Sequence, residues 1–276
     1  MERIKEALEK AKLQQSGDTA RPKAFAQPST TANKPAEEDD DIGEIQYQKT
    51  SVVELDQSYL EDKRIVALNK HDPNSWIFDS LRTQVLQRME ENNWRSIAIV
   101  SPTPESGKTF VSINLAISIA QQPTKTALLV DFDLRRPRVA NYLGLKVGKS
   151  INDLLEGNAS LEDIMVNPGI PRLTIMPTKN PTSKASETLS SNQVQRMVSE
   201  LRERYDSRIV MYDLPPVLTA DDAMVMLPQL DCVLLVVANG MNTKAELDET
   251  MRLLSKSNIV GVVANKADIE PRAYYY

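Results

Sequence analysis

The chain has one cysteine and one histidine in 276 residues. The lone Cys232 rules out an intrachain disulfide and fits a reducing compartment. It sits in the apolar run Cys232-Val233-Leu234-Leu235-Val236-Val237, the setting of a buried structural thiol rather than a reactive one. The lone His71 stands in the polar stretch Asn69-Lys70-His71-Asp72-Pro73 and reads as a solvated loop residue. That argues against a histidine-based zinc site or a Ser-His-Asp triad. No apolar run approaches the ~20 residues needed to span a bilayer. The N-terminus, Met1-Glu2-Arg3-Ile4-Lys5, lacks the apolar core of a secretory signal. A basic surplus is missing as well: 33 Lys and Arg against 38 Asp and Glu give a net charge of −5. The molecule as a whole therefore offers no electrostatic footprint for nucleic acid. These absences point to a cytoplasmic protein that reaches a membrane by peripheral recruitment to its inner face, if at all.

What is present is unevenly spread. Residues 1–15 have helical spacing, with Ile4, Ala7, Leu8 and Ala11 on one face, but are too few to be stable alone. Residues 16–45 are rich in Pro, Ser, Thr, Gln and acid and include Glu37-Glu38-Asp39-Asp40-Asp41, the composition of a disordered spacer. A folded domain is expected over residues 46–270, regular in pattern from about residue 72, with a flexible tail at 271–276. A helix is predicted from Asn74 to Glu91, and strands at 96–100, 126–131, 173–177, 208–213, 232–238 and 259–265. Helical stretches at 108–121, 191–205 and 243–257 lie between them. Most of the strand runs are continuously apolar and β-branched, which favours a mainly parallel sheet covered on both faces. Strands alternating with helices give a doubly wound α/β fold with helices on both faces, with ligands expected beyond the carboxyl ends of the strands.

Three acidic or phosphate-binding motifs fall at those ends. Residues 101–109 read Ser-Pro-Thr-Pro-Glu-Ser-Gly-Lys-Thr, between the apolar run 97–100 and a helical pattern. In a strand–loop–helix of this kind, backbone N–H groups from Glu105, Ser106, Gly107, Lys108, Thr109 and Phe110 can face phosphates. Lys108 can reach the β- and γ-phosphates of a nucleotide, and the Thr109 hydroxyl can ligate Mg²⁺. The loop departs from G-x-x-x-x-G-K-[ST] in having Pro102 at the first glycine position. Asp131 and Asp133 close the second strand and precede Arg135, Arg136 and Arg138. Buried carboxylates need partners, which Mg²⁺ and those arginines could supply. Asp213 closes the run 208–212, as a carboxylate that holds Mg²⁺ does. Asn265-Lys266-Ala267-Asp268 resembles the element that reads guanine in many GTPases. Asn265 is a candidate base contact and Asp268 is left unassigned. The chain closes on Tyr274, Tyr275 and Tyr276, three phenols with the exposure a phosphoacceptor needs.

Over roughly residues 74–276 the chain resembles the bacterial tyrosine autokinases of capsule and exopolysaccharide systems. The resemblance rests on Ser101–Thr109 followed by Ile113-Asn114-Leu115-Ala116, and on Leu128-Leu129-Val130-Asp131-Phe132-Asp133-Leu134-Arg135-Arg136-Pro137. It also rests on Asp213-Leu214-Pro215-Pro216-Val217, Asp222-Ala223, Gly261-Val262-Val263-Ala264-Asn265 and the tyrosine end. It implies a P-loop NTPase-like fold and ATP- and Mg²⁺-dependent transfer of phosphate to the terminal tyrosines. Lys108, Asp131, Asp133 and Asp213 would be catalytic, and Thr109, Asp131 and Asp213 would be at the metal. Glu105 to Phe110, Arg135 and Asn265 would lie around the nucleotide, with Asp131 helping to deprotonate the acceptor. It further implies a membrane activator of the chain-length-determinant type, a protein-tyrosine phosphatase as antagonist, and self-association.

Family loops usually read Pro-Gly-Glu-Gly-Lys, whereas Glu105 and Ser106 stand here. The family's ring-building E-x-x-R-x-x-R pattern falls on Trp76, Asp79 and Arg82, of which only the last matches. The chain is therefore expected to be mostly monomeric or weakly associating without a partner. The tail, about ten residues past the last strand, reaches up to ~35 Å, enough for transfer between subunits. Two other classes stay open: a partner-switching ATPase like MinD and ParA, whose signature lysine would fall at Thr103, and a nucleotide-binding regulatory module with weak catalysis.

Overall fold

The computed structural model describes residues 51–267. The expected N-terminal helix, the acidic spacer, Asp268 and the tyrosine tail lie outside the described residues. In chain order the elements are β1 (Ser51–Val52), α1 (Gln57–Asp62), α2 (Ser75–Glu91), β2 (Ser96–Val100), α3 (Lys108–Ala120) and β3 (Thr126–Asp131). Then come α4 (Val139–Leu143), α5 (Ile151–Leu155), β4 (Val166–Asn167), β5 (Leu173–Met176), α6 (Ala185–Leu189) and α7 (Asn192–Glu203). The last are β6 (Arg208–Asp213), α8 (Asp222–Met226), β7 (Cys232–Ala238), α9 (Lys244–Leu253) and β8 (Ile259–Asn265). Five of the six predicted strands match residue for residue, and β5 ends one residue early at Met176. Sequence patterning misses β1, α1, α4, α5, β4, α6 and α8. Each has six residues or fewer, too short to display a hydrophobic period. Regular structure therefore begins well before residue 72.

The eight strands form one sheet in the order β1-β4-β5-β3-β6-β2-β7-β8. β5, β3, β6, β2, β7 and β8 are parallel. β4 runs antiparallel to β5, and β1 parallel to β4, so one edge of the sheet is reversed. β2, β3 and β7 are buried at every residue, as continuous apolar strands covered on both faces must be. The pleat sends alternate side chains to two cores. Ile97 and Ile99 join Leu129 and Met211 beneath α2 and α3, while Ala98 and Val100 join Leu128, Val130 and Tyr212 beneath α7 and α8.

α3 is buried along its whole length except at Phe110. A helix apolar on every side must be sandwiched, and α3 lies between the sheet and α2, where Phe78 meets Phe110 edge-on at 5.7 Å. The two helices are also tied by polar contacts. Arg82 Nη1 donates to Asp79 Oδ1 at 2.9 Å and to the Ser118 carbonyl at 3.2 Å. Ser118 Oγ donates to Asp79 at 2.7 Å, and Lys70 pairs with Asp79 at 2.8 Å. Asp79 and Arg82 are thus spent inside the subunit, while Trp76 is 59% exposed. Cys232 is buried, its thiol pushed up by burial, and His71 is exposed.

Candidate active site

The site is assembled where β2, β3 and β6 end side by side. Residues 101–107 leave β2 and enter α3, and their turn is fastened on several sides. Val217 N–H donates to the Ser101 carbonyl at 2.9 Å and Leu218 N–H to the Pro102 carbonyl at 3.2 Å. The Thr103 carbonyl accepts from Ser101 Oγ at 2.9 Å and Ser106 Oγ at 3.0 Å. Asn242 Nδ2 donates to Thr103 Oγ1 at 2.7 Å, and Asn265 Nδ2 to the Ser106 carbonyl at 2.9 Å. Gly107 caps α3 with φ 88°. A Cβ there would fall 2.1 Å from Asn265 Nδ2, so only glycine fits. Glu105 also has a positive φ, 64°, which disfavours a side chain by roughly 1–2 kcal/mol. The glycine expected here from the family resemblance would avoid that cost, and this chain carries Glu105 in its place.

Below the loop lies a buried charge cluster. Lys108 Nζ is 2.8 Å from Asp133 Oδ2 and 3.5 Å from Asp213 Oδ2. Burial alone would lower the Lys108 ammonium, and the charges of Asp213 and Asp133 more than reverse that, so it stays protonated. Thr109 Oγ1 donates to Asp213 Oδ2 at 2.6 Å and Ser112 Oγ to Asp213 Oδ1 at 3.0 Å. Burial nevertheless pushes Asp213 above the usual carboxylate range. Asp131 pairs with Asp213 in register across β3 and β6. Its Oδ2 accepts from the backbone N–H groups of Arg138 and Val139 at 3.0 and 2.9 Å. Its Oδ1 is buried without a partner. Burial, then repulsion from Asp213, raise it well above its ordinary value.

The arginines after β3 do not neutralise Asp131 or Asp133, contrary to the expectation from sequence. Backbone amides and Lys108 do that, with Arg136 N–H donating to Asp133 Oδ1 at 3.0 Å. Arg135 turns away to a bidentate pair with Asp222 on α8, Nε to Oδ2 at 2.6 Å and Nη2 to Oδ1 at 3.0 Å. Ser186 Oγ on α6 donates to Asp222 and Asp221. Burial would raise Asp222, but the bonds from Arg135 and Ser186 outweigh it and hold it below the usual range.

These donors fit MgATP. The cluster offers hard oxygen ligands, a hydroxyl and carboxylates, in the chemistry Mg²⁺ prefers, and the orphaned Asp131 Oδ1 is an acceptor waiting for a partner. Among the described residues, no three His, Cys, Asp or Glu side chains form a metal cluster of their own. A magnesium shared between phosphate oxygens and one or two carboxylates needs none. The structure thus brings Lys108, Thr109, Asp131, Asp133 and Asp213 together under the loop residues 105–110. It places Asn265 against the loop and Arg135 on Asp222, away from the cluster. Sequence reasoning missed Ser112, Ser186, Asn242 and the Asp222 contact. Only Ser112 had a local signal, a hydroxyl one turn after Lys108 in an apolar helix.

Loop, lysine and paired strand-end carboxylates on a mainly parallel sheet give the chain a P-loop NTPase-like α/β domain. Its family match is the AAA domain, over residues 94–257. EpsB of Ralstonia solanacearum, named as a tyrosine-protein kinase, is 33% identical over 207 residues, 74% of this chain. The chain spans only about a quarter of EpsB's length, 27%. CapB of Staphylococcus aureus, named likewise, is 30% identical over 77% of this chain and 94% of its own. The solved kinase domain of Escherichia coli tyrosine kinase ETK shares 27% identity, covers 82% of this chain and 93% of that one, and has a TM-score of 0.69. The protein belongs to the bacterial tyrosine-protein kinase family. No helix among its described residues is long and apolar enough to cross a membrane.

Proposed function

We propose that the protein is an ATP-dependent tyrosine autokinase serving exopolysaccharide or capsule synthesis or export, with Tyr274, Tyr275 and Tyr276 as acceptors. The observation that carries this reading is the buried cluster of Lys108, Asp131, Asp133 and Asp213 beneath a phosphate-type loop, in a chain of this family. Lys108 would exchange a carboxylate for phosphate oxygens, while Thr109 and Asp213 would hold Mg²⁺ and Asp131 would lie beside it. Mg²⁺, when bound, would neutralise charge on the transferred phosphoryl group. The tyrosine oxygen attacks the γ-phosphorus, the bond to the β-phosphate oxygen breaks, and ADP leaves. The phenolic proton goes to Asp131, whose raised affinity for a proton suits a general base. Loop amides and the N-terminus of α3 would orient the phosphates.

Asn265 is read as the base contact, with adenine preferred over guanine. Calorimetry showing tighter GTP than ATP binding would overturn that preference. A membrane activator of the chain-length-determinant type, recruitment to the inner membrane face, and an opposing phosphatase belong to the same reading. Full activity of the protein alone, unchanged by an activator's cytoplasmic tail, would count against the first. The engagement of Asp79 and Arg82 inside the subunit supports a weak or absent ring. Light scattering that finds a stable ring at micromolar concentration would contradict it.

The deciding experiment is mass spectrometry of the terminal peptide after incubation with MgATP, with Lys108→Met as control. Label on the tyrosines supports the kinase, whereas ATP turnover without phosphotyrosine, activator included, favours the partner-switching ATPase. That alternative has less support: its signature lysine position is Thr103, whose hydroxyl is bonded to Asn242.

A further inference from the structure

Glu105 stands on the crown of the phosphate loop in a backbone conformation that favours glycine, and its side chain is exposed. The conformation is imposed. On one side, Thr103 is fixed by Ser101, Ser106 and Asn242 at 2.9, 3.0 and 2.7 Å. On the other, the carbonyl of Ser106 is held by Asn265 at 2.9 Å. Residue 105 lies between two anchored points, Thr103 and Ser106, in the turn where its φ is positive. The residue is also acidic. A loop that cradles a polyanion gains from backbone amides and the positive end of a helix, and a carboxylate on its crown opposes both.

We propose that Glu105 sets this loop for weak, fast-exchanging nucleotide binding. It lowers affinity for nucleoside di- and triphosphates and hastens ADP release, so the site refills without an exchange partner and product release is not the slow step. This rests on the reading of residues 101–110 as a nucleotide-phosphate site and adds how that site is regulated. Glu105 acts on binding through its charge; its unfavourable φ is already present without nucleotide and so costs stability rather than affinity. Glu105→Gln removes the charge and keeps the unfavourable φ, whereas Glu105→Gly removes both.

The test uses the full chain as wild type, Glu105→Gln and Glu105→Gly, with thermal melts to confirm folding. The probe is the Mg²⁺ complex of methylanthraniloyl-ADP, chosen because a diphosphate supports no transfer. Titration gives Kd, and stopped-flow chase with unlabelled ADP gives the release rate, each at low and high salt. Release is expected to slow about 3-fold in both Glu105→Gln and Glu105→Gly, with Kd tightening in step, while Glu105→Gly alone melts at a higher temperature because it also relieves the backbone strain. High salt should narrow the gap between wild type and both variants. Three proteins that bind and release alike would overturn the inference and leave the nucleotide site standing. Failure of all three to bind at millimolar concentration would overturn the nucleotide reading and this inference with it.

Discussion

Asp131 and Asp222 are both fully buried carboxylates at the same end of the sheet, yet they behave in opposite ways. Asp222 is met on both oxygens by Arg135 and again by Ser186, and is held below the ordinary carboxylate range. Asp131 faces a second buried carboxylate, has one oxygen without a partner, and is pushed above that range. The first is a finished ion pair that pins the segment after β3 onto α6 and α8. The second is an incomplete arrangement that a ligand would finish. Burial alone therefore does not mark a functional acid. The discriminating observation is whether its hydrogen-bonding capacity is already used.

The largest expected effect falls on the incomplete cluster. Lys108→Met removes the cation between Asp133 and Asp213, and tail phosphorylation measured by anti-phosphotyrosine blot should fall at least ~100-fold.

Next comes the finished pair. Asp222→Asn leaves Arg135 with a single neutral acceptor and should lower stability by about 1–2 kcal/mol in urea, limited because Arg135 is 40% exposed and its charge is screened.

Asp131→Asn should move the other way. It removes a buried, repelled charge and should raise the melting temperature of the nucleotide-free protein by about 2–4 °C near pH 7 while abolishing transfer. An unchanged or lower melting temperature would erase the proposed contrast between the two acids.

pH sharpens the same contrast. Asp131's folded value is raised, so its contribution to stability is complete below its unfolded value of about 4 and is lost as pH rises through the folded value. The advantage of Asp131→Asn should therefore grow from about pH 4 upward. Asp222's folded value is lowered, so its contribution is present above about pH 4 and lost as pH falls through the folded value. The deficit of Asp222→Asn should shrink below about pH 4. Melting curves of the three proteins over that range would show both trends or neither.

The smallest effect is expected for Ser186→Ala, which leaves the Arg135 pair intact and should cost about 0.5–1 kcal/mol.

Most of the sheet was legible from sequence because its strands are buried on both faces and show as unbroken apolar runs. The cluster residues were legible too, because each closes or opens a regular element: Lys108 and Thr109 begin α3, Asp131 closes β3, and Asp213 closes β6. The partner of Arg135 was not. Arg135 and Asp222 are 87 residues apart, and their meeting depends on α6 and α8, short elements with no periodic signature. The arginines looked like counter-ions for Asp131 because they were near in sequence, but the chain satisfies that acid with its own amides. The strain at Glu105 was half visible: the missing glycine could be read, but the anchors that enforce the backbone conformation come from Asn242 and Asn265, far along the chain.

The reversed edge of the sheet has a geometric consequence. Because β4 opposes β5 and β1 follows β4, the chain enters β1 from the same end of the sheet at which the Lys108 cluster lies. The edge strands β1 and β4 therefore begin at the end where the six parallel strands stop, so that end of the sheet carries two strand starts beside six strand ends.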